Sequence, residues 1–270
     1  MRITFIGGGN MAKALIGGLR HQGYSADGIQ VIEPNAELRG NLARDFGLRC
    51  IAAIDDAALV CDTILLAVKP QQMREALLPL SGKLEQQLVI SIAAGLRLGD
   101  LSRWLGGYRK LVRTMPNMAA LIGKGVTGLF ADPSVDESAR LDAERILAAV
   151  GTTLWLSDEQ QMDAVTAISG SGPAYVFYFI EAMEMAAMKL GFDTEAARKL
   201  SIETFLGATA LADQSKESIS TLRQQVTSKG GTTEAALQSF ATSDLAGGIG
   251  LGIQAAAQRG RELGDSLGRD

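Results

Sequence analysis

Ile3-Thr4-Phe5-Ile6-Gly7-Gly8-Gly9-Asn10-Met11-Ala12 sets a short apolar run, a glycine cluster and the opening of a helical pattern end to end. Gly7, Gly9 and Ala12 fall on the three positions of a G-x-G-x-x-A fingerprint. The first glycine permits a tight turn, the second lets the backbone approach a pyrophosphate, and the small third residue lets helix and strand pack closely. A helix starting there turns free N–H groups and a positive dipole end toward the phosphates. Such a motif carries weight only between a strand and a helix, and both are in place here.

The pattern extends outward from this turn. Residues 3–6, 30–33, 63–68, 88–93, 110–114 and 153–156 are short β-rich apolar runs, and 11–20, 36–46, 71–80 and 137–150 carry helical spacing between them. The alternation predicts an α/β chain with an N-terminal Rossmann-type, doubly wound parallel sheet over residues 1–157. After Trp155 the strand signals stop, and 158–168, 173–190, 194–212, 218–226, 232–240 and 244–267 read as helices, so a C-terminal all-α domain is expected over 158–270. Residues 174–180 are apolar on every face, and the helix runs on through Met183, Met185 and Met188. A helix without a polar face is buried in a large core or against another subunit. So short a second half favours the subunit, hence a homodimer through the α domain and a possible ring of dimers. Gly247, Gly248, Gly250 and Gly252 inside the last helix each cost about 0.8–1 kcal/mol relative to alanine. They imply either close helix packing or a loop.

With 270 residues, 47% of them hydrophobic, the chain has enough apolar material for two cores. A net charge of −4 gives no electrostatic reason to expect nucleic acid or an anionic membrane as partner. The basic group Arg103, Arg109, Lys110 and Arg113 reads as solvated surface. Cys50 and Cys61 belong to no CxxC pair and have no histidine cluster near them, so buried reduced thiols are expected, and neither a disulfide nor a metal site. His21, the single histidine, lies far from every motif, and any mechanism must run without a histidine base. The apolar run before Gly7 is shorter than a signal-peptide core or a membrane span, so a cytoplasmic chain is expected.

Glu33 closes the second strand candidate, about where an acidic residue bonds the adenosine ribose hydroxyls of a dinucleotide. A carboxylate there favours NADH and repels a 2′-phosphate. Arg39, one turn into the next helix, is within swinging reach of such a phosphate, which leaves NADPH against NADH open.

Three further segments end strand candidates: Ala67-Val68-Lys69-Pro70, Ser91-Ile92-Ala93-Ala94-Gly95 and Met115-Pro116-Asn117. Together with Ser169-Gly170-Ser171-Gly172-Pro173-Ala174-Tyr175 and Thr227-Ser228-Lys229-Gly230-Gly231-Thr232-Thr233-Glu234, they resemble the motifs of pyrroline-5-carboxylate reductases in order and spacing, across essentially the whole chain. The resemblance implies an oxidoreductase that passes a hydride from NADPH or NADH to a cyclic imine, giving L-proline from L-1-pyrroline-5-carboxylate. It implies that Ile6, Gly7, Gly8, Gly9, Asn10 and Met11, with Ala67, Val68, Lys69 and Pro70, line the cofactor, and that Ala93, Ala94 and Gly95 lie near the nicotinamide. It also places the substrate carboxylate on Ser228 and the backbone of Gly230, Gly231 and Thr232, and the ring nitrogen on Thr233. The chain departs from the family pattern at Met118-Ala119, where relatives usually carry Thr-Pro, at Lys229, where they carry proline, and near Ile54, commonly polar in relatives.

An imine protonated on nitrogen is already electrophilic at the carbon that takes the hydride, so the implied reaction asks the protein mainly for orientation. Two other readings compete. A β-hydroxyacid dehydrogenase joins the same kinds of domain but carries a catalytic lysine a few residues beyond a glycine motif, whereas here none follows Gly172 until Lys189. A non-catalytic dinucleotide-binding regulator would keep Gly7 and Gly9 and lose the 228–233 loop, which this chain retains.

Overall fold

The computed structural model describes residues 1–269. They divide into two compact units, one of residues 1–171 together with the chain from Ala256 on, the other of residues 172–255. The first break falls later than residue 157, and the last helix begins in the second unit and ends in the first.

The first unit is built on eight strands, β1 (Ile3–Ile6), β2 (Ile29–Ile32), β3 (Arg49–Ile51), β4 (Thr63–Leu66), β5 (Leu88–Ser91), β6 (Leu111–Met115), β7 (Gly125–Ala131) and β8 (Gly151–Trp155). Its helices are α1 (Asn10–His21), α2 (Ala36–Phe46), α3 (Pro70–Leu77), α4 (Leu98–Trp104), α5 (Glu137–Ala148) and α6 (Gln161–Val165). The sheet order is β3-β2-β1-β4-β5-β6-β7-β8. Neighbours from β3 to β6 are parallel, β7 runs antiparallel to β6, and β8 is parallel to β7. The first six strands have the doubly wound Rossmann order, whose direction of winding reverses between β1 and β4. The expectation of a wholly parallel sheet fails at β7, a strand absent from the sequence reading, as were β3 and α4.

Alternation along each strand feeds two cores, one on each face. Ile3 and Phe5 of β1, Leu65 of β4 and Ile90 of β5 pack with Leu15, Ile16 and Leu19 of α1 and Ala143 and Ile146 of α5. Ile6, Ile64, Leu66 and Val89 point the other way, onto Met73 and Leu77 of α3 and Leu101 and Trp104 of α4. A sheet covered on both faces makes its strands read as continuous apolar runs, which is why β1, β4 and β5 stand out in the sequence. Side-chain caps set the helix starts. Asn35 Oδ1 accepts from Leu38 N at 2.9 Å to open α2, and Asp136 Oδ1 accepts from Ala139 N at 2.8 Å to open α5; each such cap is worth about 1 kcal/mol.

The second unit is helical: α7 (Gly172–Lys189), α8 (Thr194–Gln214), α9 (Ile219–Gln225), α10 (Thr232–Thr242) and the first part of α11 (Leu245–Leu267). Asp193 caps α8 and Ser218 caps α9. α7 has no buried residue in the single chain, and Val176, Phe177 and Tyr178 are 42%, 59% and 70% exposed. Gly247, Gly248, Gly250 and Gly252 are helical, so the loop alternative falls. A methyl group at Gly248, Gly250 or Gly252 would meet nothing within 4 Å. Within the chain, then, these three do not mark a close helix contact.

Candidate functional site

The turn after β1 has the geometry that a dinucleotide requires. Gly7 adopts φ +98°, and a Cβ there would lie 2.6 Å from the Ala67 carbonyl oxygen at the end of β4. Only glycine suits both the left-handed backbone and that approach. Gly7 N donates to Ile32 O at 2.8 Å, and Ala67 N to Ile6 O at 2.7 Å, so the turn is anchored to both neighbouring strand ends. Gly9 is the N-cap of α1 at ordinary φ, no side chain caps that helix, and a Cβ at Gly9 would meet nothing within 4 Å. The α1 N–H groups therefore open onto free space, and Asn10 beside them is exposed while Met11 is half-buried. Free N–H groups at an uncapped helix start can take an anion.

Glu33 follows β2, 9% exposed, and its carboxylate is already engaged: Oε2 accepts from Gly8 N at 2.8 Å and Oε1 from Asn35 N at 2.8 Å. Arg39 Nη1 donates to the Glu33 and Pro34 carbonyl oxygens, each at 2.9 Å. Strands β1, β4, β5 and β6 are consecutive in the sheet, so the predicted strand-end segments stand side by side along its carboxyl edge. Ala67 and Val68 are half-buried after β4; Lys69 caps α3, with Pro70 as its first residue. After β5, Ala93 is buried, Ala94 is exposed and Gly95 turns at φ +84°. After β6, Asn117 donates from Nδ2 to the carbonyl oxygen and Oγ of Ser169, at 3.2 and 3.1 Å, and its Oδ1 accepts from Val126 N. That bond ties the strand end to Thr166–Gly170, a π-helical turn of a kind concentrated at functional sites. The sequence quoted both segments without showing that they touch.

The second unit carries the other predicted residues. Ser228, Lys229 and Gly230 form an exposed turn, Gly231 is the N-cap of α10, and Thr232 and Thr233 open that helix, with Thr233 half-buried. Of the backbone N–H groups expected to face an anion, two have partners in the chain: Gly230 N donates to Glu234 Oε2 at 2.7 Å, and Gly231 N to Ser228 O at 3.0 Å. Those of Thr232 and Thr233, in the first turn, have no intrahelical acceptor by position. Glu234 thus staples the loop to its own helix. Glu234→Ala orphans the Gly230 N–H and removes a first-turn carboxylate, a loss of about 1 kcal/mol that lowers the melting temperature by about 2–4 °C. A variant that melts with the wild type would show that the staple contributes nothing.

One residue of the basic group was misread. Arg113, on β6, is 3% exposed, with Nη1 3.1 Å from Glu159 Oε1 and Nη2 3.7 Å from Asp163 Oδ1. Its place inside the β-rich run 110–114 is the sequence signal that it lies in a buried strand. Among the described residues, no group of three or more His, Cys, Asp or Glu side chains is placed to hold a metal ion.

A doubly wound sheet with an open glycine turn at its switch point, joined in one chain to a helical unit, is the build of a dinucleotide-binding class of protein. Residues 2–95 match the family model described as NADP oxidoreductase coenzyme F420-dependent, and residues 159–263 match that described as pyrroline-5-carboxylate reductase dimerisation. The pyrroline-5-carboxylate reductase of Pseudomonas aeruginosa is 44% identical over 99% of this chain and 98% of its own length. That of Haemophilus influenzae is 44% identical over 97% of each chain. The solved structure of a pyrroline-5-carboxylate reductase from Coxiella burnetii aligns at a TM-score of 0.92 with 39% identity, covering 97% of this chain and 98% of that one. A Plasmodium falciparum pyrroline carboxylate reductase with NADP bound aligns at 0.87 with 28% identity over 98% of each. The chain belongs to the pyrroline-5-carboxylate reductase family, and it is an NAD(P)H-dependent oxidoreductase. That membership removes the β-hydroxyacid dehydrogenase reading.

Proposed function

We propose that this chain reduces L-1-pyrroline-5-carboxylate to L-proline, the last step of proline biosynthesis, with NADPH or NADH as hydride donor. The observation that carries the reading is the row of family motifs along the carboxyl edge of β1, β4, β5 and β6, beginning at the open glycine turn. Ligands of open α/β sheets bind along this edge.

Residues 1–157 then serve as the dinucleotide-binding domain, with Ile6 to Met11 and Ala67 to Pro70 along the cofactor and Ala93, Ala94 and Gly95 near the nicotinamide. Residues 158–270 serve substrate binding and dimerisation; the dimerisation model spans 159–263. Ser228 and Thr232 hold the substrate carboxylate, joined by Gly230 when Glu234 yields its bond and by Gly231 when the Ser228 carbonyl does, and Thr233 holds the ring nitrogen. The bound cofactor supplies a hydride; the protein supplies orientation, since attack on an imine carbon needs an approach of about 3–3.5 Å and no strong acid. The exposed apolar face of α7 supports a homodimer formed through the helical unit, and rings of such dimers are the expected larger assembly. Cys50 and Cys61 are free thiols, which suits action in the cytoplasm.

The test is the initial rate of NADH and NADPH oxidation with pyrroline-5-carboxylate. Thr233→Ala is expected to lower kcat/KM by about 10–100-fold, the loss of one hydrogen bond in the transition state, with dinucleotide affinity unchanged. Turnover at the wild-type rate in the variant would remove Thr233 from the site. Absence of turnover in the unaltered protein would remove the reaction.

A further inference from the structure

We propose that Glu33 makes this enzyme prefer NADH to NADPH, by fixing a carboxylate where the adenosine ribose of the cofactor lies. The proposal rests on the cofactor reading above.

Glu33 is tied into the cofactor turn itself. Its Oε2 accepts from Gly8 N and its Oε1 from Asn35 N, both at 2.8 Å. Each carboxylate oxygen has a second acceptor position, so both remain able to take a ribose hydroxyl. Neither can swing away from a 2′-phosphate without orphaning a backbone N–H. The glycine turn cannot shift to make room either: it is bonded to Ile32 O, and the space behind Gly8 is filled, a Cβ there falling 2.4 Å from Leu42 Cδ1. A phosphate carrying close to two negative charges would therefore meet a stationary negative charge.

Arg39 does not offset this. Its Nη1 is held on the Glu33 and Pro34 carbonyl oxygens, at the tip of β2. Its charge is also felt at β3: burial pushes the Cys50 thiol up, and Arg39 works against that shift. Cys50 is paired with Val31 on the side of β2 away from β1, whereas the Glu33 carboxylate reaches the turn that follows β1. The Arg39 guanidinium is thus tied to main-chain oxygens at the end of β2, and the Glu33 carboxylate to the turn after β1.

The experiment titrates the protein with NADH and with NADPH and follows the fluorescence of the bound reduced nicotinamide, a binding readout independent of turnover. NADH is expected to bind about tenfold or more tightly, the scale of one partly buried like-charge contact. Glu33→Gln keeps an acceptor for Gly8 N without the charge, and should bring the two affinities within about threefold by strengthening NADPH binding. Arg39→Ala should leave their ratio unchanged. In the unaltered protein, rising salt should shrink the ratio by screening the repulsion, a check that needs no variant to fold.

Equal or tighter NADPH binding, a ratio insensitive to both salt and Glu33→Gln, or a selective loss of NADPH affinity in Arg39→Ala would each overturn the proposal. If the unaltered protein binds neither dinucleotide, the cofactor reading fails with it. If it binds both equally, only the role of Glu33 fails.

Discussion

Gly9→Ala is expected to abolish detectable dinucleotide binding and to change the melting temperature little, whereas Gly7→Ala is expected to destabilise the protein outright. The two glycines share one turn and differ in what surrounds them. A methyl group on Gly9 enters open space at ordinary φ, so the fold loses at most about 1 kcal/mol from a weaker helix cap. The same methyl occupies the space into which the motif draws a pyrophosphate. On Gly7 it takes a left-handed backbone and drives a carbon to 2.6 Å from the Ala67 carbonyl. Backbone strain and overpacking together cost about 3–5 kcal/mol. At about 2–4 °C per kcal/mol, that lowers the melting temperature by roughly 6–20 °C. Calorimetric melting and isothermal titration with NADH, run on both variants, read the two effects separately. Normal binding by Gly9→Ala would move the phosphates elsewhere, and a wild-type melt for Gly7→Ala would mean that the β1 and β4 ends separate at little cost.

Arg113→Met is expected to cost about 3–5 kcal/mol, because removing one partner of a buried charge cluster leaves the other charges facing each other without compensation. The Arg113 guanidinium lies between Glu159 and Asp163, and Glu159 Oε1 also accepts from Leu98 N at 2.8 Å, so one group of charges joins β6, α4 and the start of α6. Replacing the whole cluster, Arg113→Met with Glu159→Gln and Asp163→Asn, should restore most of the loss, since no bare charge remains. Chemical denaturation of the two proteins measures the difference. If the triple replacement is no more stable than Arg113→Met, the cost lies in lost packing and not in charge.

These contacts show where sequence reading stopped. Strands β1, β4 and β5 were legible because both of their faces are buried, and α2 was read with its observed bounds from its apolar spacing, bounds that the structure fixes with an Asn35 cap at the start and Gly47 at the end. β7 was missed because glycines interrupt its apolar run. Their reason is three-dimensional: a Cβ on Gly128 would lie 2.9 Å from Val165 Cγ1, and one on Gly125 would lie 3.0 Å from the Ala120 backbone. β3 is a three-residue strand at the sheet edge with an exposed arginine, too brief to show a period. Of the candidate site, the motif positions were legible and their internal bonding was not. Nothing in the spacing shows that Gly8 bonds Glu33, that Glu234 takes the Gly230 N–H, or that Asn117 reaches Ser169. Each of these depends on how two loops meet, and loops carry no period from which to read a partner.

The last helix imposes an order of assembly. α11 leaves the helical unit at residue 255 and ends against the first unit, where a Cβ on Gly264 would stand 2.8 Å from the Gly95 carbonyl and Asp265 pairs with Arg97. During synthesis the sheet emerges first and has time to form while the helices follow. The loop after β5 nonetheless waits for residues made after the whole second unit. That loop, beside the proposed nicotinamide position, is therefore uncovered until residue 265 has cleared the ribosome, and a fragment cut at 171 would carry it exposed permanently.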